Sequence, residues 1–325
     1  MSAQQHSQLA IYASFGADVL IAGAKIFAAV ASGSSSMFAE ALHTLADAGS
    51  EALLLYGYWR AKRPADAAHP LGYGREVYFW SFMVSVLIFA MGAGVSVYEG
   101  VMHVLEPAPI EHVGVNFIVL TFSLVFDLLA TVVAYREAAP LKGQKGWLEA
   151  AVDSKDPPAF MILFNNIAGV VGVVMAAAGL ATAERLAEPR WDGAASIAIG
   201  VLLGAVAWLS ARESKGLLIG ESASPELVDA IVADIELAAG VDRVTSAIAM
   251  HLAPNQIVVT LGIEFCDDLR APQIEEAVAA LEQCIRKRRP EVVGLFVKPQ
   301  TRHTLTKTLG LLHPTQYVDG DRVSD

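Results

Sequence analysis

Apolar residues run in long blocks through the first two-thirds of the chain and in short alternations through the last third. A membrane-crossing helix needs about 20 predominantly apolar residues. Six blocks meet that length, over about 9–30, 37–59, 77–98, 113–135, 157–180 and 192–210. They predict a membrane all-α domain of six transmembrane helices within residues 1–212. The first two blocks are polar for membrane helices, which implies that they line something other than lipid. Beyond Ser210 the period changes. Leu227, Ile231 and Ile235 recur at helical spacing behind a Ser224-Pro225 start. Ile257, Val259, Leu261, Ile263 and Phe265 alternate as a half-buried strand does. A strand near Val244–His251 pairs with it across Pro254-Asn255, and a helix over Pro272–Arg288 and a strand over Val292–Val297 follow. That order predicts a small α+β domain of helices on a sheet over residues 213–300, then a flexible tail over 301–325.

Composition agrees with a membrane protein. Of 325 residues, 54% are hydrophobic and 18% charged, too little charge for a soluble surface of this size. A net charge of -11 excludes a general affinity for nucleic acid. The polar start MSAQQHSQ lacks a basic region and a cleavage site, so the first block is expected to stay as an anchor. Arg60, Lys62, Arg63 and Arg75 lie between blocks two and three. Arg136, Lys142, Lys145 and Lys155 lie between four and five, and Arg212 and Lys215 follow six. The opposite loops hold Arg185 and Arg190, offset by Glu184 and Glu188. The bias places both termini in the cytoplasm. Alanine richness points to a bacterial inner (plasma) membrane. Cys266 and Cys284 read as reduced thiols.

A charge inside a bilayer costs about 2.5–3.5 kcal/mol, so each one needs a reason. The second block carries Glu40, His43, Asp47 and Glu51 at spacings that share one helical stripe. His43 and Asp47, one turn apart, can aim an imidazole nitrogen and a carboxylate oxygen at a shared ion, a donor mixture that zinc and similar divalent metals accept. Asn165 and Asn166 interrupt the fifth block beside Ala168 and Gly169. An amide carbonyl there can ligate a metal, or the pair can hydrogen-bond between helices. Asp18 and Lys25 share a face of the first block and can neutralise one another or the second-block stripe. Asp127 in the fourth block can relay protons or line the ion path. In the loop HPLGYGR, Asp66 and His69 are candidates for a second metal, while its Gly and Pro also set the turn. His251 and Cys266 are candidate ligands in the C-terminal third, without CxxC or HxH spacing. No Ser/His/Asp constellation, Walker loop or dinucleotide fingerprint occurs, so an enzyme is not expected.

The segments FAEALHTLADAGSEALLLYG, HPLGYGREVYFW, YEGVMHVLEP and DGAASIAIGVLLGAVAWLSARESKGLLIGE together resemble the cation diffusion facilitator family, in order and nearly to Lys298. The resemblance implies export of divalent metals from the cytoplasm, usually against protons, and a homodimer joined through a cytoplasmic ferredoxin-like domain. It implies His43 and Asp47 as ligands, and a loop site at Asp66 and His69 with Tyr73 at a slot that is sometimes His. One branch of the family carries a Glu-Asp pair in the fifth helix behind a segment like SKDP. This chain keeps Ser154-Lys155-Asp156-Pro157 but places Asn165-Asn166 at the pair. A site with one carboxylate compensates a dication weakly, which implies weaker binding or a different ion. The expected activity is proton-coupled transport by alternating access, with zinc the leading substrate and Mn, Fe, Co or Cd as alternatives, and no cofactor. Metal ligands must be deprotonated, so metal and proton compete for them. A transport-impaired partner of a complete homologue and a membrane-anchored metal sensor are the other readings.

Overall fold

The computed structural model describes residues 3–143, 146, 147, 150, 157–254 and 256–301, with side chains from Asp18 onward except 141 and 157–159. Lys145, the segment 154–156, Asn255 of the expected turn and the tail from residue 302 lie outside the described residues. The chain divides into two compact units, one of Met1–Pro64 with Glu76–Lys215, the other of Ala65–Arg75 with Gly216–Asp325.

The first unit is helical. Among the described residues its long helices are α1 (Ala3–Ser32), α2 (Ser35–Ala61), α3 (Glu76–Leu105), α4 (Val113–Lys142), α5 (Pro157–Leu186) and α6 (Arg190–Ile219), the last four residues of α6 being assigned to the second unit. Among the described residues, four of them, α3 to α6, are long and apolar enough to cross a membrane. Helix α2 matches them in length but spends Glu40, Asp47 and Glu51 inside its apolar run. Most of the helices outlast the apolar blocks that announced them. Hydropathy marks the part a bilayer would cover, whereas helical hydrogen bonding continues until the backbone is interrupted. Helix α4 runs through Arg136 and Glu137 to Gly143 at φ 57°, and α6 runs through Arg212 and Lys215 to Gly220 at φ 103°, a region that glycine enters without a Cβ penalty.

Small residues set how closely these helices approach. A Cβ on Gly100 of α3 would stand 2.7 Å from the Gly193 carbonyl oxygen of α6. One turn away, Ser196 Oγ donates to the Ser96 carbonyl at 2.8 Å. Between its α-helical ends, α3 is a π-helix over Ile88–Val95. The start of α2 is held from a distance in sequence. Ser34 caps it by accepting from the Met37 N–H at 3.1 Å. The buried Asp192, in the first turn of α6, accepts from Ser34 Oγ at 2.9 Å, the Ser35 N–H at 2.6 Å, the Ser36 N–H at 3.2 Å, and Ser36 Oγ. A carboxylate at a helix N-terminus meets both unsatisfied N–H groups and the positive end of the helix dipole. The core of this unit is built from alanines and mid-sized aliphatics, among them Ala28, Ala39, Ala46, Ile88, Ile199 and Leu203.

The second unit contains α7 (Pro225–Glu236), β1 (Val241–Ala253), β2 (Gln256–Phe265), α8 (Ala271–Arg288) and β3 (Val292–Pro299). Ser224 caps α7, accepting from the Leu227 N–H at 3.4 Å, ahead of Pro225. The sheet order is β1-β2-β3, with β1 antiparallel and β3 parallel to β2. As the central strand, β2 buries Val258 and Gly262 as well as the alternating set, so it is covered more than its period implies. Val228, Ile231, Val232 and Ile235 of α7, with Leu281 and Ile285 of α8, pack on Val259, Leu261 and Ile263. The loop Ala65–Arg75 belongs to this unit: Arg75 Nη2 donates to Met250 Sδ at 3.1 Å.

Candidate metal centre

Helices α2 and α5 meet along one seam in opposed register. On α2 the seam carries Glu40, His43 and Asp47, and on α5 Gly172, Gly169 and Asn165 face them in that order. Asn165 Nδ2 donates to Asp47 Oδ1. A Cβ on Gly169 would stand 3.1 Å from His43 Nε2, and one on Gly172 would collide with Glu40 Oε1. His43 Nε2 lies 3.5 Å from Asp47 Oδ2, longer than a normal hydrogen bond. The glycines thus admit the polar side chains of α2 against the backbone of α5.

Lys25 of α1 enters from the other side. Its Nζ is 3.0 Å from Glu40 Oε2 and donates to Thr44 Oγ1 at 2.8 Å. Both members of that ion pair are 0% exposed. Four buried polar atoms along the seam have no hydrogen-bond partner among the described residues: Glu40 Oε1, His43 Nδ1, His43 Nε2 and Asn165 Oδ1. Native structures leave few such atoms, and each calls for an explanation. The carboxylate and amide oxygens are acceptors, and a neutral imidazole offers one more. That is a donor set for a cation. Nitrogen and oxygen ligands without thiolate suit zinc, manganese, iron or cobalt. Among the described residues, no three His, Cys, Asp or Glu side chains surround a single metal position, so the seam offers His43 and Asp47 with the Asn165 amide.

The other candidates fall in different places. Asn166 is half-buried, one residue around the helix, and it is Asn165 that reaches Asp47. Lys25 pairs with Glu40 in the stripe. Asp18 shares a side-chain hydrogen bond with Glu51 and lies within electrostatic reach of Asp47, Asp127 and Lys25. Asp127 accepts from Ser123 Oγ at 3.0 Å on its own helix. In the loop, Asp66 is committed to the turn. Its Oδ1 accepts from the Ala68 and His69 N–H groups at 2.9 and 2.7 Å, and its Oδ2 from the Tyr73 hydroxyl at 2.7 Å. The His69 ring lies on Tyr73 with centroids 4.2 Å apart, its Nδ1 3.6 Å from Asp66 Oδ1.

The Tyr73 hydroxyl, and then the His69 N–H, hold the Asp66 carboxyl below the ordinary carboxylate range. A depressed pKa keeps these bonds in place above about pH 4 and loses them as pH falls through the lower, folded value. Proteolytic cleavage of the loop is therefore expected to stay constant from pH 8 to 5. Tyr73→Phe is expected to raise it severalfold at neutral pH.

His251 and Cys266 are not brought together. His251 pairs with Ile257 at the turn end of the hairpin, whereas Cys266 follows Phe265, which pairs with Val241 at the other end. Eight residues of strand separate the two rows, about 26 Å. Sequence reading missed Thr44, Gly172 and Asp192, and named Gly169 only as a small neighbour of Asn165. The glycines carried a signal, since they recur at four and seven residues from Asn165.

A bundle of long apolar helices with ionisable groups on an inner seam, followed by a small α+β unit, is the build of an integral membrane protein that handles a cation. The chain belongs to the cation efflux family: the model of the cation efflux transmembrane domain matches residues 11–219. Members of that family, which are the cation diffusion facilitators, are transporters and not enzymes. The chain is 33% identical to the proton-coupled zinc antiporter SLC30A9, mitochondrial, of Xenopus laevis over 74% of its length and 44% of that protein. Its identity to the human protein of that name is 32%, over 74% of the chain and 43% of the relative. It is 27% identical to metal tolerance protein C4 of Arabidopsis thaliana, over 80% of the chain and 58% of that protein. The chain thus spans less than half the length of the antiporter relatives.

Proposed function

We propose that this chain exports a divalent transition-metal cation, zinc foremost, from the cytoplasm in exchange for protons by alternating access. The observation that carries this reading is the α2–α5 seam, where buried polar atoms without a hydrogen-bond partner among the described residues gather around His43 and Asp47. Two relatives whose names specify proton-coupled zinc antiport support zinc and proton coupling. In this reading α1 and α2 join α3 to α6 as six spans, with the polar face of α2 turned inward and both termini cytoplasmic. The membrane is a bacterial inner membrane, and the small C-terminal unit joins two copies in a homodimer.

His43 and Asp47 hold the ion, and the Asn165 amide turns its carbonyl toward it. Each ligand must be deprotonated to bind, so a proton arriving at His43 or Asp47 weakens the site and expels the metal. Proton entry on the far side thus drives release there.

Purified chain in proteoliposomes with an imposed pH gradient tests this. Zn2+ is expected to move against the proton gradient, with the gradient dissipating as it does. No Zn2+ movement, by a chain shown to be folded, would overturn export. The asparagines on α5 favour a second reading, a subunit that needs a charge-complete homologue. On that reading, flux appears only when such a homologue is reconstituted alongside.

A further inference from the structure

The cation seam has a charge problem. Helix α5 contributes Asn165, Gly169 and Gly172 and no acid, so Asp47 is the one carboxylate of the centre described above. The missing charge lies on α2 itself. Glu40 stands three residues before His43 and on the same face, entirely buried. Its Oε2 is taken by Lys25, while its Oε1 has no hydrogen-bond partner among the described residues and abuts Gly172. Gly169, where His43 Nε2 rests, is one turn from Gly172, with Cβ positions about 5–6 Å apart. Glu40 Oε1 and His43 Nε2 therefore address the same stretch of seam.

We infer that Glu40 is a further ligand of the transported cation, supplying the carboxylate that α5 lacks, with Lys25 as its positioning partner. The inference rests on the reading of His43 and Asp47 as the cation site. Lys25 holds one oxygen and leaves the other directed at α5. As placed, the three groups do not surround one point, so binding draws Glu40 toward His43 by side-chain rotation, within the space that Gly172 leaves. The resulting set of one imidazole, two carboxylates and an amide carbonyl fits a divalent first-row cation that accepts mixed nitrogen and oxygen donors. A buried carboxylate with one oxygen on a lysine and the other on a dication is satisfied on both sides, which the lysine alone does not achieve.

Equilibrium binding of Zn2+ to the detergent-solubilised full chain tests the inference, with His43→Ala and Asp47→Ala defining the membrane site. Glu40→Gln is expected to weaken that site at least about tenfold. The charge-balanced pair Lys25→Met with Glu40→Gln should do the same, and it guards against a fold lost through an unpaired lysine. Asn165→Asp placed in the Glu40→Gln background moves the carboxylate to α5 and is expected to restore affinity to within about threefold of the native chain. A packing role for Glu40 would leave affinity unchanged, or lower it in a way that Asn165→Asp does not restore. Either result overturns the inference. If His43→Ala and Asp47→Ala bind Zn2+ like the native chain, the underlying site is wrong and the inference falls with it. If those two lose binding while Glu40→Gln does not, the site stands and Glu40 is removed from it.

Discussion

Substituting His43 or Asp47 by alanine is expected to reduce Zn2+ flux by at least about 100-fold while the protein stays folded. These two side chains are the imidazole and the carboxylate that share an edge of the seam, 3.5 Å apart. An ion leaving water for a buried site forfeits a hydration energy that only close, correctly placed ligands replace. Changes to groups that merely support a ligand typically cost 10–100-fold in metal affinity, so loss of a ligand should exceed that. Asp47→Asn separates charge from shape, because it keeps an oxygen for the Asn165 amide to donate to. It is expected to lose flux as alanine does. Initial rates in proteoliposomes, with thermal melting to verify the fold, measure this. Flux within twofold of the native chain in either alanine variant would count against the site.

The second large effect belongs to Asp192, well outside the seam. Asp192→Ala removes the acceptor for the Ser35 and Ser36 N–H groups and for the Ser34 and Ser36 hydroxyls. Each buried donor left without a partner costs about 1–3 kcal/mol. The expected destabilisation is about 3–5 kcal/mol, in the range for breaking a buried charged network. Asp192→Asn retains one acceptor oxygen and is expected to lose roughly half as much, though its amide hydrogens face the serine N–H groups. Thermal or denaturant unfolding in detergent reads the difference. The consequence reaches the proposed metal site, because α2 carries His43 and Asp47, and its start is tied to α6 through this carboxylate. A melting temperature unchanged in Asp192→Ala would show that the serines find other acceptors.

Much of this was legible along the chain, for physical reasons that differ by feature. The stripe on α2 was legible because helical spacing alone puts Glu40, His43, Asp47 and Glu51 on one side. Which partner Lys25 takes was not. Asp18 shares its helix face, and only the packing of α1 against α2 selects Glu40. Asn165 and Asn166 are adjacent and point about 100° apart on a helix, so the rotation of α5 decides which meets Asp47. Asp192 opens an apolar block and resembles any acid at a helix start. Its role depends on a serine triplet more than 150 residues earlier in the chain, a pairing that no local pattern contains. The separation of His251 from Cys266 was within reach of sequence. The hairpin turn at Pro254 places one beside the turn and the other at the far end of the next strand. Helices α4 to α6 run on past their apolar blocks, because helical hydrogen bonding does not stop where hydropathy does.

The transported ion is proposed to sit on the α2–α5 seam at His43 and Asp47. Anomalous scattering from zinc-loaded crystals of the full chain locates the metal directly. The expected result is a peak in the first unit within about 2.0–2.2 Å of a His43 nitrogen and an Asp47 oxygen, with the Asn165 carbonyl turned toward it, and no such peak in His43→Ala. Zinc found only in the loop of Asp66 or elsewhere in the second unit, at concentrations that saturate transport, would contradict it.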